Sequence, residues 1–177
     1  MHVFLTGERG IGKTRVVRQA AELLGRPCHG FVTRFSSENR SESPLYMLPT
    51  DRSASPDGAH IIAARRDGKL AALTERFDTL GVSLLREAES HPEGLILMDE
   101  CGHLEKDALL FRQEILRCLD GPIPVLGVLR KDQPWHSFII GHPHVRVIEV
   151  TAETRDALPA IVADLLGKDF GREDGTP

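Results

Sequence analysis

The stretch GERGIGKT, residues 7–14, matches the phosphate-binding loop G-x-x-x-x-G-K-S/T, here called the P-loop. Residues 2–6 precede it with an apolar run that is typical of a buried strand. Residues 15–24 follow it with a helical pattern that ends at Gly25. A strand, a glycine-rich turn and a helix form the context in which this loop binds phosphate. The stretch therefore predicts that the chain binds a nucleoside triphosphate.

Each residue type in the P-loop has a physical reason. Its glycines let the backbone bend so that successive N–H groups point at one anion, and the helix that follows adds the positive end of its dipole. We expect Lys13 to act as a catalytic cation on the β- and γ-phosphates, and the Thr14 hydroxyl to ligate Mg²⁺. The predicted nucleotide-binding residues are Gly7, Glu8, Arg9, Gly10, Ile11, Gly12, Lys13, Thr14, Arg15 and Arg155.

Composition and charge are those of an ordinary globular protein. The chain has 177 residues, of which 41% are hydrophobic and 27% are charged, and no apolar run approaches the length of a membrane span. The net charge of −4 disfavours a strongly basic nucleic-acid binder. Because the first predicted strand begins almost at Met1, we expect no signal peptide and a cytoplasmic protein without a membrane partner. The composition neither predicts nor excludes a protein partner.

Apolar segments alternate between strand and helix patterns, which predicts an α/β domain with a mainly parallel sheet. One domain is expected over residues 1–167, with a flexible excursion at about 36–58 and a disordered tail at 168–177. The predicted strands are 2–6, 30–35, 45–48, 60–64, 69–73, 95–98, 125–129 and 145–150, and the predicted helices are 15–24, 80–89, 104–119 and 153–166.

Residues 95–100, LILMDE, form a second motif, in which two acids follow an apolar run. The run predicts a strand buried on both faces of a parallel sheet, and α/β sheets bind ligands at the carboxyl ends of such strands. We expect Asp99 to hold Mg²⁺, directly or through water, and Glu100 to polarise the attacking water as a catalytic base. An adjacent acid pair is typical of hydrolytic P-loop proteins.

Four segments together resemble a known family: the P-loop, residues 30–33 (GFVT), residues 99–105 (DECGHLE) and residues 150–159. The chain resembles the small P-loop nucleoside-triphosphatases first described from thermophiles, whose animal members are called cancer-related nucleoside-triphosphatase. The resemblance implies a RecA-like P-loop NTPase domain, a three-layer sandwich. It also implies slow, Mg²⁺-dependent conversion of triphosphates to diphosphates with little base selectivity. The chain departs from the family at residues 36–43, which lack glycines, and at Thr154, where the family usually has Asn.

Several further residues have two interpretations each. The resemblance implies an active-site role for Glu105, whereas an acidic residue in the first turn of a helix is the alternative. Arg130 follows the strand that ends at Leu129 and is our candidate for a catalytic γ-phosphate sensor, although a polar loop would also explain it and Lys131. Arg155 would reach the base or phosphates, or lie in solvent.

Aromatic residues, histidines and cysteines carry weaker signals. For Trp135, packing is favoured over stacking on a base. The motif His142-Pro143-His144 is disfavoured as a metal site because no acidic or cysteine partner has suitable spacing. A catalytic role for His103 is disfavoured, and Cys101 is expected to pack as a small side chain.

Two alternative functions remain at this stage. A small-molecule kinase would also carry an N-terminal P-loop, and residues 36–57 would then cover a phosphate acceptor. The acid pair argues against it, because an adjacent glutamate suits water as the nucleophile. A nucleotide-dependent switch that acts on a protein or RNA partner is the other alternative.

Overall fold

The computed structural model describes residues 1–40, 42–50 and 56–170, in which the strands form one eight-stranded sheet. The strands are β1 (His2–Thr6), β2 (Cys28–Phe35), β3 (Leu45–Pro49), β4 (Ile61–Arg66), β5 (Lys69–Ala72), β6 (Leu95–Cys101), β7 (Val125–Leu129) and β8 (Val145–Glu149). Their order in the sheet is β5-β4-β3-β2-β6-β7-β1-β8. Neighbouring strands in the part β2-β6-β7-β1-β8 are parallel, and those in the part β5-β4-β3-β2 are antiparallel. This confirms a sheet that is mainly parallel.

Helices cover both faces of this sheet. They are α1 (Lys13–Leu24), α2 (Thr74–Arg76), a π-helical turn (Phe77–Gly81), α3 (Val82–Glu89), α4 (Leu109–Asp120), α5 (Ser137–Ile140) and α6 (Leu158–Phe170), with 3-10 turns at Gly58–His60 and Pro134–His136. Buried side chains of α1 and α6 join one apolar cluster, and those of α3, α4 and α5 join another on the opposite face. The result is a three-layer sandwich with β6, β7 and β1 in its middle, which confirms the fold that the family resemblance implies and the buried parallel strands that the apolar runs predict.

Two helices begin later than predicted. The helix expected from 104 begins at Leu109, and the one expected from 153 begins at Leu158. Leu104 and Ala108 show helical spacing because both pack on the core, but they do so from a loop. At the start of α4, the backbone N–H of Phe111 donates to the Asp78 carboxylate at 2.9 Å. The short helical turns over residues 134–140 were not predicted, since segments this short carry no readable periodicity.

The predicted excursion and tail are partly ordered secondary structure. Residues 45–49 form β3, which pairs along its length with β2. Ser41 and residues 51–55 lie outside the described residues. The last helix continues to Phe170, so residues 168–170 are helical, whereas 171–177 of the predicted tail lie outside the described residues. Among the described residues, no helix is long and apolar enough to span a membrane. The cytoplasmic location stays a prediction.

Gly127 on β7 pairs with Phe4 on β1, which gives a test of the packing at the sheet. A Cβ added there would lie 2.2 Å from Cε1 of Phe4, a fully buried ring. We expect Gly127→Ala to lower the free energy of unfolding by about 1–3 kcal/mol through overpacking, as measured by urea denaturation. Gly58→Ala is the control, because a Cβ at this position meets no described atom within 4 Å. Equal unfolding midpoints for the two variants would contradict this packing.

Candidate active site

The P-loop connects β1 to α1 with a backbone that glycine alone adopts readily. Gly7, Gly10 and Gly12 have φ angles of 138°, 80° and 110°. Gly7 is also confined by space, since a Cβ on it would lie 2.6 Å from the carbonyl oxygen of Val150. Gly12 is the N-cap of α1, and with no side chain it leaves the first N–H groups of the helix open to an anion.

Lys13 lies beneath the loop rather than in solvent. Its side chain is 8% exposed, and Nζ donates to the carbonyl oxygens of Gly7 at 2.8 Å and Glu8 at 3.0 Å. The ammonium group is therefore held inside the ring of backbone that the loop forms. A bound phosphate would compete with these neutral carbonyls for the same cation.

Thr14 and Asp99 meet although they are 85 positions apart in the chain. Thr14 Oγ1 donates to Asp99 Oδ1 at 3.2 Å. β6 and β1 flank β7 in a parallel arrangement, so the end of β6 faces the loop that follows β1. Burial raises the pKa of Asp99 to about 6, whereas the hydrogen bond from Thr14 opposes this rise.

Glu100 follows Asp99 and lies half-buried at the same edge of the sheet. Its backbone N–H donates to Thr33 Oγ1 at 3.3 Å, which attaches the end of β6 to β2. The peptide bond between Asp99 and Glu100 is cis. The carboxylates of Asp99 and Glu100 line the same cavity, and the hydrogen bond from Thr14 goes to Asp99.

Glu105 is the most deeply buried carboxylate of this edge, at 3% exposure. Its Oε1 accepts a hydrogen bond from Gly102 N–H at 2.9 Å, and its Oε2 has no partner among the described residues. Burial raises the pKa of Glu105 to about 7. Glu105 precedes α4 by four residues and does not belong to a helix, so the alternative of a first-turn acid is wrong.

Arg130 lines the same cavity as the acids and contacts His103. Its Nη1 lies 2.8 Å from His103 Nδ1, and the imidazole must accept because a guanidinium group only donates. Burial, and then the charge of Arg130, lower the pKa of His103, so the neutral ring suits this role. Arg130 N–H donates to Cys101 O at 2.9 Å, which joins β7 to β6. Cys101 is fully buried in the core, as predicted.

The loop between β6 and α4 is also held from the side of β7. Trp135 Nε1 donates to the carbonyl oxygen of Gly102 at 2.8 Å, and the indole packs against the core. This placement agrees with packing rather than with stacking on a base. His136 beside it is 1% exposed, and burial lowers the pKa of its imidazole to about 4.

The other predicted cations lie outside this cluster. Arg15 and Arg155 both contact the carboxylate of Asp156, at 3.7 and 4.0 Å. Lys131 donates to Glu8 and Glu149, at 3.0 Å each, and these hydrogen bonds raise the pKa of its ammonium group. Lys131 is thus paired with Glu8 of the P-loop and with Glu149, and not with Asp99 or Glu100.

A cavity of about 700 Å³ brings together five of the residues singled out from the sequence, of which Thr14 alone belongs to the P-loop. Residues 37–38 of the predicted excursion line its rim, beside Arg40. Ile11 and the exposed Arg9 lie on the P-loop away from this lining, as do Arg15 and Arg155. The predicted residues that line the cavity are Thr14, Asp99, Glu100, Glu105 and Arg130.

Three contacts of the site were missed from the sequence: Thr33 with Glu100, His103 with Arg130, and Trp135 with Gly102. Thr33 lies in the GFVT segment, which was noted only as part of a resemblance. No spacing rule connects these pairs, because each joins residues at least 27 positions apart.

Residues 2–163 match the model of a protein family described as NTPase. The matched span contains both the P-loop and the acid pair. The chain belongs to this NTPase family. Membership confirms the resemblance noted from the motifs. It also confirms the predicted enzyme class, a hydrolase that acts on nucleoside triphosphates.

Relatives of this NTPase-family chain extend over nearly its whole length. It is 30% identical to nucleoside-triphosphatase THEP1 of Thermofilum pendens, over 90% of this chain and 91% of the relative. It is 29% identical to the cancer-related nucleoside-triphosphatase homolog of Mus musculus, over 92% and 95%. The crystal structure of THEP1 from the hyperthermophile Aquifex aeolicus superimposes with a TM-score of 0.75 at 23% identity, covering 94% and 99%. The last match shows the P-loop NTPase fold.

The buried carboxyl group of Glu105 predicts a pH-dependent stability. A carboxyl whose pKa is raised to about 7 on folding favours the folded state at low pH, and this contribution is lost as pH rises from about 4.5 to 7. We expect the wild-type free energy of unfolding to fall between pH 5 and 8 by about 2 kcal/mol more than that of Glu105→Gln.

Urea denaturation at the two pH values measures this difference. Glu87→Gln is the control, because Glu87 is an exposed carboxylate on α3 and should follow the wild type. Parallel pH profiles for the wild type and Glu105→Gln would contradict the buried, poorly partnered state of this group.

Proposed function

We propose that the protein hydrolyses nucleoside triphosphates to the diphosphate and phosphate, with Mg²⁺ and with little base selectivity. The observation that carries this proposal is the contact between Thr14 on the P-loop and Asp99 at the end of β6, with Glu100 beside it. A phosphate-binding loop, a pair of oxygen donors for a cation and a free carboxylate thereby line one edge of the sheet. This is the combination that water-dependent cleavage of a triphosphate requires.

The residues present fit a magnesium ion. A hydroxyl and a carboxylate oxygen 3.2 Å apart are hard oxygen donors of the kind Mg²⁺ prefers, and Asp99 is 6% exposed, which limits competing water. Thr14 and Asp99 would hold the ion. When bound, Mg²⁺ neutralises charge on the β- and γ-phosphates. Its charge would also favour the ionised form of Asp99, against the effect of burial.

The P-loop supplies the other half of phosphate binding. Its open N–H groups at the start of α1 would bind the phosphate oxygens, and Lys13 would exchange the carbonyls of Gly7 and Glu8 for the terminal phosphates. Because a phosphate oxygen is charged and a carbonyl is neutral, this exchange favours the bound state. The loop is thus arranged for its ligand before the ligand arrives.

Glu100 is proposed as the group that orients and polarises the attacking water. It lines the cavity, and the hydrogen bond from its backbone N–H to Thr33 ties this end of β6 to β2. Arg130 is proposed to stabilise charge that develops on the γ-phosphate, since it lines the same cavity. The neutral His103 orients its guanidinium group without cancelling its charge.

Low base selectivity is supported by where the fixed polar groups lie. The buried and hydrogen-bonded groups of the site, Lys13, Asp99 and Glu105, lie where the proposed phosphates and attacking water would bind. Arg15 on α1 and Arg155, which precedes α6, are exposed and share Asp156. Exposed side chains of this kind would contact many bases without discriminating strongly among them.

The deciding experiment measures phosphate release from ATP, GTP, CTP and UTP by the purified protein, without an acceptor. With Mg²⁺ we expect release from several of them, and EDTA should abolish it. Glu100→Gln should lower kcat by at least about 100-fold, because it removes the general base, and should leave the nucleotide dissociation constant nearly unchanged. Normal turnover by this variant would exclude Glu100 as the base.

Arg130 provides a second test, directed at charge stabilisation. We expect Arg130→Ala to lower kcat by about 100-fold or more with little change in KM, because its interaction is strongest in the transition state. Arg146→Ala is the matched control, since Arg146 is exposed on β8, one residue from the amino end of that strand. An equal loss in both variants would show a nonspecific effect of removing an arginine.

A kinase is retained as a second candidate because of a specific cavity. A space of about 600 Å³ between α1 and the β2–β3 ribbon also borders Thr14 and Asp99, and Arg18 and Arg34 line it. An anionic acceptor could lie there next to the phosphates. Turnover that requires an added acceptor would favour this function, and phosphate release without one favours hydrolysis. A nucleotide-dependent switch stays a prediction.

A further inference from the structure

A second group of chemically active side chains lies at the opposite edge of the sheet. His29 is the second residue of β2, and His91 and Glu93 lie in the connection between α3 and β6. β2 and β6 run parallel with His29 beside Ile96, so these side chains lie at the amino ends of the strands. The P-loop and the acid pair lie at the carboxyl ends, and the two groups are therefore separated by the length of the sheet.

The three side chains are close enough to share one ion. One ligand atom from each of them lies within 4.8 Å of the other two, and His91 Nδ1 is 3.4 Å from Glu93 Oε1. In tetrahedral zinc sites with bonds of about 2.1 Å, neighbouring ligand atoms lie about 3.4 Å apart. One pair thus already has the spacing of bound ligands, and the third atom lies within 4.8 Å of both and would have to move closer.

His29 supplies an independent observation. Its Nε2 is buried and has no hydrogen-bond partner among the described residues, which is uncommon for a polar atom in a protein interior. A Cβ added to Gly94 would lie 2.8 Å from Cδ2 of His29, the carbon bonded to Nε2. The ring edge that carries the unpartnered nitrogen therefore lies against the same connection that carries His91 and Glu93.

The backbone around these side chains is already fixed. Gly94 N–H donates to His91 O at 3.0 Å, which closes a four-residue turn with Pro92 at its second position. Leu95 N–H donates to Pro27 O at 2.9 Å, which ties this turn to the residue before β2. Little backbone order would have to be created when an ion binds, so most of the ordering has occurred on folding.

We propose that His29, His91 and Glu93 bind a transition-metal ion of the zinc class. Two imidazoles and a carboxylate suit such an ion, whereas Mg²⁺ prefers the all-oxygen donors at the other edge. The two rings are stacked, with centroids 3.9 Å apart and planes 6° apart. In a parallel stack the nitrogen lone pairs of the two imidazoles point in parallel directions. On binding, the rings would have to turn about their Cβ–Cγ bonds so that both lone pairs point at the ion. Water completes the coordination.

The bound ion would join the start of β2 to the turn before β6. No sequence motif marks this site, because 62 positions separate His29 from His91 along the chain. The site does not depend on the proposed function, since it lies away from the phosphate-binding edge and neither histidine contributes to that edge.

The test is titration of the metal-free, tag-free full chain with Zn²⁺ by calorimetry, and with Co²⁺ by visible absorption. We expect one equivalent to bind, with the visible bands of low-symmetry Co²⁺ and a raised Tm in Zn²⁺. His91→Ala and Glu93→Gln should each weaken Zn²⁺ binding by more than about 100-fold. Losing a residue that only hydrogen-bonds a metal ligand weakens binding by about 10–100-fold, and these two residues are proposed to be ligands themselves. Both side chains are substantially exposed, so these variants should fold, which far-UV circular dichroism checks.

Two controls separate this site from other metal-binding groups. Cys28→Ser removes the neighbouring thiol, and His144→Ala removes one histidine of the H-x-H motif; both should bind Zn²⁺ like the wild type. The proposal is overturned if the wild type binds no stoichiometric metal, or if His91→Ala and Glu93→Gln bind as tightly as the wild type. It is also overturned if binding is lost in a control variant instead. Phosphate release, measured separately, leaves this outcome unaffected.

Discussion

The hydrogen bond between Thr14 and Asp99 is the contact on which the candidate active site depends. It joins the loop after β1 to the end of β6, two strands that never pair directly because β7 lies between them. Parallel pairing on both sides of β7 brings the carboxyl ends of all three strands to one edge. Without this strand order, the P-loop and the carboxylate proposed to hold a metal ion would exist in the chain but would not meet.

Burial then determines the electrostatics of that edge. Asp99 and Glu105 lose most of their contact with water, and burial raises the pKa of each carboxyl group. The cations are arranged differently, since Lys13 is held by backbone carbonyls and Arg130 by a neutral imidazole. Within the described residues, neither cation forms an ion pair with a carboxylate that would cancel its charge. The proposed triphosphate with its metal ion would complete this charge distribution.

Local patterns were sufficient to predict an α/β domain with a mainly parallel sheet, and they marked the P-loop and the acid pair as candidates for its functional edge. The P-loop and the acid pair each occupy a few consecutive residues, and buried parallel strands leave continuous apolar runs. The same patterns were misleading at Leu104 and Ala108, whose helical spacing belongs to a loop that packs on the core. They did predict a strand at residues 45–48, but not that it pairs with β2 as part of the main sheet, because pairing depends on the path of the whole chain.

The sequence by itself determined the phosphate-binding loop, the acidic end of a buried strand and the α/β class, because each follows from residues adjacent in the chain. Only the tertiary structure decided that Glu105 is buried against Gly102 and that Thr33 fixes the backbone of Glu100. It alone placed His29 beside His91. These contacts depend on strand order, register and loop path, which arise from packing of the whole domain and leave no periodic signal in the sequence.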